Sequence, residues 1–529
     1  MLIFAFNCFF YCHMKTHYPR LSRIVLKDWL EYHPYDREVT SDQFYIGLSN
    51  KIQHEMLLID VEDHLVGADY KCMAYMLACY LEDTVSKTGM WTSFVDEHRK
   101  LYGRYLPFYD LAGYEYGNIN LADIQFLIWH FCSNLLTQNR FVDPYSIGHA
   151  EIAKFVYALL KESETQAPKN DDLKAALTLP SDADIHKVAE HLKFVFFGCY
   201  LHQYYFASLM AEEILDVKNQ KGSHKNFDQL LDERRTGLLF RRVTPLLAQR
   251  SSEMLAHWAG REHPLYEKLM SMSKRHEGLF LYEGEYDGHL RVKHLATGLF
   301  FELHCPAWDF SLIEGVTVVQ AGIVQWNDEW YAIGPAFPQT NETKVSIPEH
   351  EKHLFASPAT HLGIVKREEE CFLEINYNKR IAILESKLNT FVFIDKVWDL
   401  YHIKYGTEIK NRRAYDVHDL TFNVDDDIDN LVVFFNPRSG MEFFPNIAQC
   451  ISIWDNTFFN KNAETNIEDL IMDERVSSDF VSLLLNNDMV NIEPVSGKSG
   501  FPYVRTNCDF LLRYWKKERY VSEPKLFIE

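Results

Sequence analysis

Asp83 and His98 are the residues of this chain whose types and spacing most readily do chemistry. Asp83 continues the row of Met76 and Tyr80 on one helical stripe. His98 lies inside the apolar stripe of the next, made by Trp91, Phe94, Val95, Leu101, Tyr102 and Tyr105. Two such helices returning as an antiparallel hairpin would turn both side chains toward a common interior. A carboxylate buried beside an imidazole shifts both pKa values and orients a general base, and Glu97 adds a second acid alongside. The plainer alternative is that each group is satisfied in a helical core, the commoner fate of buried polar side chains. The sequence alone assigns no catalytic residue.

The elements that must position this pair occupy "YLEDTVSKTGMWTSFVDEHRKLYGRYLPFYDLAGYEYGNINLADIQFLIWHF", residues 80–131. The apolar spacing predicts a first helix ending before Gly89, a second stopped by Pro107, and a third capped by Asn120 with Asp123 three residues on. Helical periodicity continues from Val39 to about Arg275. It includes "AEIAKFVYALLKE" and "DADIHKVAEHLKFVFFGCYLHQYYFASLMAEEIL", and a last helix broken between Gly260 and Pro264. "SETQAPKNDD" and "DVKNQKGSHKN" read as surface connections between helices.

At Gly278 the period changes to two. Short alternating runs separated by Ala296-Thr297-Gly298 and Asn327-Asp328 predict hairpins and a small barrel of SH3-like or OB-like form. Pro338 to Val365 reads as a linker. Beyond it, "CFLEINYNKRIAIL" reads as a hairpin around Tyr377 and Asn378, and Ser439-Gly440 as the turn of a second hairpin. "LNTFVFIDKVWDLYHIKYG", "VSSDFVSLLLNN" and "NCDFLLRYWKKERY" read as helices. The expected fold class is multidomain α+β: a leader over 1–19, an all-α helical domain over 20–275, a small central β-barrel over 276–338, a linker over 339–365 and an α+β module over 366–529.

Other motifs fail on spacing. "SGKSG" at Ser496–Gly500 holds the tail of a phosphate loop, but Ile492 stands where its first glycine belongs, and Pro502 stops the helix that should follow. His350 and His353 lack a further ligand. Asp425, Asp426, Asp427 and Asp429 lack the glycine and terminal glutamate of a calcium loop, so they read as a solvated charged loop, as do Glu368 to Glu370. Cys8 with Cys12, and Cys72 with Cys79, are poorly spaced for structural zinc. No cofactor and no metal are expected.

Composition narrows the class. The chain has 529 residues, 47% hydrophobic and 14% aromatic, with a formal charge of −21. Such a length exceeds what one core usually organises. The acid excess argues against nucleic acid and against an anionic membrane surface. Ten cysteines scattered through apolar contexts suit a reducing compartment, so the expected setting is cytoplasmic. The apolar opening "MLIFAFNCFFYCH" lacks the charged start and cleavage site of a signal peptide, and Met14 reads as the more ordinary beginning.

Several phrases together resemble a bacterial family known only as a domain of unknown function. They are "DWLEYHPYDREVTSDQFYIGLSN", "YLEDTVSKTGMWTSF", "HRKLYGRYLPFYD", "INLADIQFLIWHF", "REHPLYEKL", "HLATGLFFEL" and "VVFFNPRSGMEF". The resemblance extends over nearly the whole chain after Met14 and implies a shared architecture, with no activity or catalytic residue attached. The expected function is a non-enzymatic interaction or scaffold protein that presents surfaces to a protein partner. The alternatives are a hydrolase-type enzyme with a pocket around Asp83 and His98, and a regulator that binds oligonucleotides through the barrel. The oligomeric state is left open.

Overall fold

The computed structural model describes residues 22–59, 67–135, 141–219, 227–286, 288–304, 318–339, 358–406, 430–453, 456–460, 467–473, 475–490 and 502–521. The chain is a mixed α+β protein with helices first, and it divides into two compact units, Met1–Leu354 and Phe355–Glu529. The leader, His350 and His353, the aspartates at 425–429 and the Ser496–Gly500 motif lie outside the described residues. Among the described residues no helix is long and apolar enough to cross a membrane.

The first unit opens with α1 (Leu26–Leu30), α2 (Asp42–Ile59), α3 (Gly67–Ser86), α4 (Met90–Tyr102), α5 (Leu121–Leu135) and α6 (Ile147–Glu164). Met73 through Leu81 of α3 are nearly all buried, as are most residues from Ile124 to Cys132 of α5. A helix apolar on every side belongs inside a bundle rather than on its surface. Aromatic rings join these helices: Phe126 stacks on Phe94 at 5.2 Å and packs on Trp129 at 5.5 Å. Helix α4 ends at Tyr102, before Pro107, because Gly103 takes the left-handed conformation (φ 72°) that closes its last turn.

Next come α7 (Asp171–Leu177), α8 (Ile185–Lys193), α9 (Gln203–Asn219), α10 (Phe227–Arg241), α11 (Ser251–Ala259) and α12 (Tyr266–Ser271). The break between α11 and α12 falls over the expected Gly260–Pro264. The long helical pattern around residues 184–215 is interrupted, however. A π-turn at Phe194–Gly198 follows α8, where the Cys199 amide reaches back to the Phe194 carbonyl at 2.8 Å. Such wide turns recur at functional sites.

The sheet of this unit has six strands: β1 (His276–Tyr286), β2 (His289–His294), β3 (Phe300–His304), β4 (Val318–Trp326), β5 (Glu329–Ala332) and β6 (Phe337–Gln339). Hydrogen-bonded neighbours run β1-β2-β3-β5-β4-β6, and β1 also pairs with β4. The two expected turns are present. Gly298 (φ 72°) lies in the β2–β3 connection, while Asn327 and Asp328 both take positive φ (53° and 64°) between β4 and β5. That is the paired left-handed geometry of a two-residue hairpin loop, which asparagine and aspartate tolerate. Arg275, just before β1, is buried and ties the sheet to α10. Its guanidinium donates to Glu233 at 2.7 Å, to Glu277 at 2.6 Å and to the Ile333 carbonyl at 3.0 Å.

The second unit holds α13 (Pro358–Ile375), β7 (Ile381–Leu384), α14 (Lys387–Tyr405), β8 (Leu431–Asn436), β9 (Gly440–Pro445), α15 (Ile467–Met472), α16 (Ser478–Asn486), α17 (Pro502–Thr506) and α18 (Cys508–Trp515). Strand order is β7-β8-β9, and the expected second hairpin is present, its turn running over residues 437–439 with Gly440 paired to Asn436 as the first residue of β9. All six residues of β8 are buried. Phe372, Val397 and Trp398 of the two long helices share a core with Leu431, Val433 and Phe435, while Phe480 of α16 packs on Phe434 and Phe444.

Two expectations fail here. The hairpin around Tyr377 and Asn378 is instead the end of α13, with both residues at positive φ before β7 begins. The short run "CFLEI" alternates locally, but Val365, Glu368, Cys371, Phe372 and Ile375 continue a helical spacing, and the longer period wins. The same helix takes residues 358–365 out of the expected linker and places Glu368 in its buried stripe rather than in a solvated loop.

Candidate functional site

Helix α4 separates the expected pair. Asp83 is buried, and its carboxylate accepts hydrogen bonds from the amides of Gly89 (3.0 Å), Met90 (3.2 Å) and Trp91 (2.7 Å) and from the hydroxyls of Thr88 (2.5 Å) and Tyr200 (3.0 Å). It therefore caps the start of α4, satisfying amides that have no partner within that helix. Burial raises its pKa from the ordinary value, against the pull of these donors. His98 sits on the same helix roughly 10 Å further along, at about 1.5 Å per residue. Its Nδ1 donates to the Arg104 carbonyl at 2.8 Å, and burial lowers its pKa to about 4. Asp83 is taken up by the turn joining α3 to α4, and His98 by the Arg104 carbonyl, so neither side chain bonds the other. Glu97 faces elsewhere, toward His257 at 3.5 Å and Lys100 at 3.1 Å.

One residue before Asp83 the sequence reading missed a denser constellation. Glu82 contacts His33 Nε2 at 2.9 Å, and the two side chains are only 1% and 3% exposed. Nδ1 of His33 donates to the Trp29 carbonyl at 2.8 Å, which fixes the ring. The other oxygen of Glu82 accepts from Asn170 at 2.8 Å, and the Asn170 amide group also donates to Tyr35 Oη at 2.8 Å. Tyr35 in turn donates to Asp42 at 2.9 Å, as does the Trp29 indole at 3.1 Å. Asn170 also caps α7 through the Leu173 amide, so the expected surface connection "SETQAPKNDD" contains a buried structural asparagine.

Burial alone would lower the His33 pKa. The Glu82 charge, its hydrogen bond and the Trp29 carbonyl outweigh it, and the pKa is raised. His33 and Glu82 are thus a buried, hydrogen-bonded pair. Beside them lies Cys79, one turn before Glu82 on α3; burial and the Glu82 charge hold its thiol well above the ordinary pKa. The three donor atoms lie within 4.8 Å of one another. His33, Cys79 and Glu82 also line a small cavity of about 10 Å³ together with Tyr75, Tyr200 and residues Phe194 and Gly198 of the π-turn.

A second site opens on the sheet. A cleft of about 480 Å³ is lined by His289 and Arg291 of β2, Phe300, Glu302 and His304 of β3, and Asp328, Glu329 and Trp330 of the β4–β5 hairpin. Register explains the convergence: Leu290 pairs with Leu303, bringing the neighbouring His289 and His304 into contact, and His304 pairs in parallel with Tyr331. The two Nε2 atoms are 3.0 Å apart, and Glu329 lies 3.5 Å from His304. Phe300 is half exposed, with Arg291 over its ring at 5.3 Å.

The model of the family described as "Protein of unknown function (DUF3843)" matches residues 23–290. The chain belongs to this family. The matched span contains Asp83, His98 and the whole network of His33, Asp42, Cys79, Glu82 and Asn170, whereas His304 and Glu329 of the sheet cleft lie beyond it. The phrases "HLATGLFFEL" and "VVFFNPRSGMEF" lie beyond it too. No curated protein and no solved structure matches the chain.

The missed residues left few local signals. His33, Glu82 and Asn170 are far apart in sequence and meet only when the first segment lies across α3. Cys79 and Glu82 are one helical turn apart, a spacing that is common without function. His289 and His304 become neighbours only through strand register, which hairpin turn residues specify in part.

Proposed function

We propose that the protein is a non-enzymatic interaction protein whose sheet, closed into a small barrel by the return of β4 to β1, offers its cleft to a basic segment of a protein partner. The composition of that cleft carries the reading. Three carboxylates, Glu302, Asp328 and Glu329, outnumber the one guanidinium of its lining, Arg291, which with Lys293 covers the Phe300 ring, and they stand beside the ring of Trp330. Lysine and arginine side chains suit such a surface, since their methylene stems cover aromatic rings while the charged ends meet carboxylates. A formal charge of −21 steers a cationic partner toward the chain. The same carboxylates disfavour an oligonucleotide as occupant. A hydrolase pocket around Asp83 and His98 draws no support from a carboxylate already engaged by five donors. The cytoplasmic setting is part of the proposal, and every cysteine among the described residues is a free thiol.

Purification from the native cell, of the natural chain and of a Glu302→Lys/Glu329→Lys variant, tests this reading. A partner that co-elutes with the natural chain and is lost with the variant is the expected result. A partner retained equally by both, or a chain that elutes alone, would count against it.

A further inference from the structure

We infer that His33, Cys79 and Glu82 form a binding site for a single zinc-like divalent ion, independent of the sheet cleft. The three residues supply one imidazole nitrogen, one sulfur and one carboxylate oxygen, a mixed donor set that favours zinc over magnesium or calcium. Their donor atoms already lie within 4.8 Å of one another, and His33 Nε2 and Glu82 are 2.9 Å apart. A tetrahedral ion with bonds of about 2.0–2.3 Å needs ligand atoms roughly 3.3–3.6 Å apart, so rotamer-scale shifts of Cys79 and Glu82 complete the site.

The surroundings are also those of a metal ligand set. His33 donates its far ring nitrogen to the Trp29 carbonyl at 2.8 Å, the contact that orients a coordinating imidazole and leaves Nε2 to face the ion. Glu82 is held from behind by Asn170 at 2.8 Å. The adjoining cavity of about 10 Å³ is close to the space one water needs, which supplies a fourth ligand. Cys79 and Glu82 are one turn apart on one buried helix, so its regular geometry sets the spacing of two of the three ligands.

Binding is an exchange of charge with no redox step. The ion replaces the proton on His33 Nε2 and the proton on the Cys79 thiol, and both leave to solvent as the nitrogen and sulfur lone pairs coordinate. The hydrogen-bonded His33–Glu82 pair is then the metal-free form of the site. Affinity rises with pH, because each bound ion releases two protons when both groups start protonated.

Cobalt(II) titration of the purified full-length chain, followed by X-ray absorption of the zinc-loaded chain, tests the inference. One equivalent of cobalt should produce visible ligand-field bands and a thiolate charge-transfer band in the near ultraviolet. Cys79→Ser should abolish the charge-transfer band. The zinc spectrum of the natural chain needs no variant, and should show one sulfur at about 2.3 Å with nitrogen and oxygen at about 2.0–2.1 Å. Absence of saturable cobalt uptake, a charge-transfer band that persists in a folded Cys79→Ser chain, or a zinc shell with no sulfur or with several would each overturn the site.

Discussion

Replacing Asp83 by alanine separates a structural carboxylate from a catalytic one, because the structure gives it a defined mechanical task. The substitution removes the acceptor for three successive amides, at Gly89, Met90 and Trp91, and for the hydroxyls of Thr88 and Tyr200. The hydroxyls can rotate toward other acceptors, but the amides cannot. Loss of one helix-capping side chain costs about 0.5–2 kcal/mol, and a buried donor left without a partner about 1–3 kcal/mol. Relief of burying a carboxylate offsets part of this, so a net loss of about 3 kcal/mol is expected for the first unit. Asp83→Asn keeps one oxygen acceptor while turning an NH2 group toward the donors, and about half that loss is expected. Urea unfolding followed by tryptophan fluorescence, with hydrogen exchange at residues 89–91 to assign the transition, reads both variants. A change below about 1 kcal/mol in Asp83→Ala, with exchange at those amides unaltered, would refute the capping role.

Three further perturbations follow from the buried charges. His98 has its pKa lowered to about 4 from an ordinary 6.5, so the unfolded chain takes up its proton first as pH falls. Its stability contribution is present above about pH 6.5 and lost toward pH 4, a swing of about 3 kcal/mol, and His98→Asn should flatten the pH–stability profile across that window. Glu368 shows the opposite sign. Burial raises its pKa to about 7 from 4.5, so the native state holds the proton longer and stability falls as pH rises between those values. Glu368→Gln, which can still accept from the Trp398 indole, should leave the second unit nearly unchanged at pH 4 and stabilise it by about 3 kcal/mol at pH 8; equal melting temperatures at pH 8 would contradict this. At Gly322 an added Cβ would lie 2.0 Å from the Arg275 guanidinium carbon. Since Arg275 is held by Glu233 and Glu277, Gly322→Ala should displace a buried ion pair and cost about 3 kcal/mol in thermal or urea unfolding, and an unchanged melting temperature would show that the side chain yields freely.

The sequence made much of the secondary structure legible because the deciding signals are local. Apolar spacing located α3, α4 and α5, Asn327-Asp328 marked a hairpin, and Gly260 to Pro264 marked a break. Failures arose where two local patterns competed, as in "CFLEI", whose alternation is a fragment of a longer helical stripe. The π-turn after Lys193 inserts a residue into a helical run with no composition change to announce it. The site was less legible. Asp83 and His98 were rightly placed in buried positions, but sequence spacing does not reveal which side of the turn a carboxylate will face, and the turn took it. His33 meets Glu82, and His289 meets His304, only through tertiary packing and strand register, neither of which leaves a contiguous motif.

Hydrogen exchange of the full chain, alone and bound to its co-purified partner, tests the binding role of the sheet most directly. Protection concentrated in residues 289–304 and 329–332 is expected if the cleft receives the partner. Partner-dependent protection elsewhere, with those strands unchanged, would contradict it.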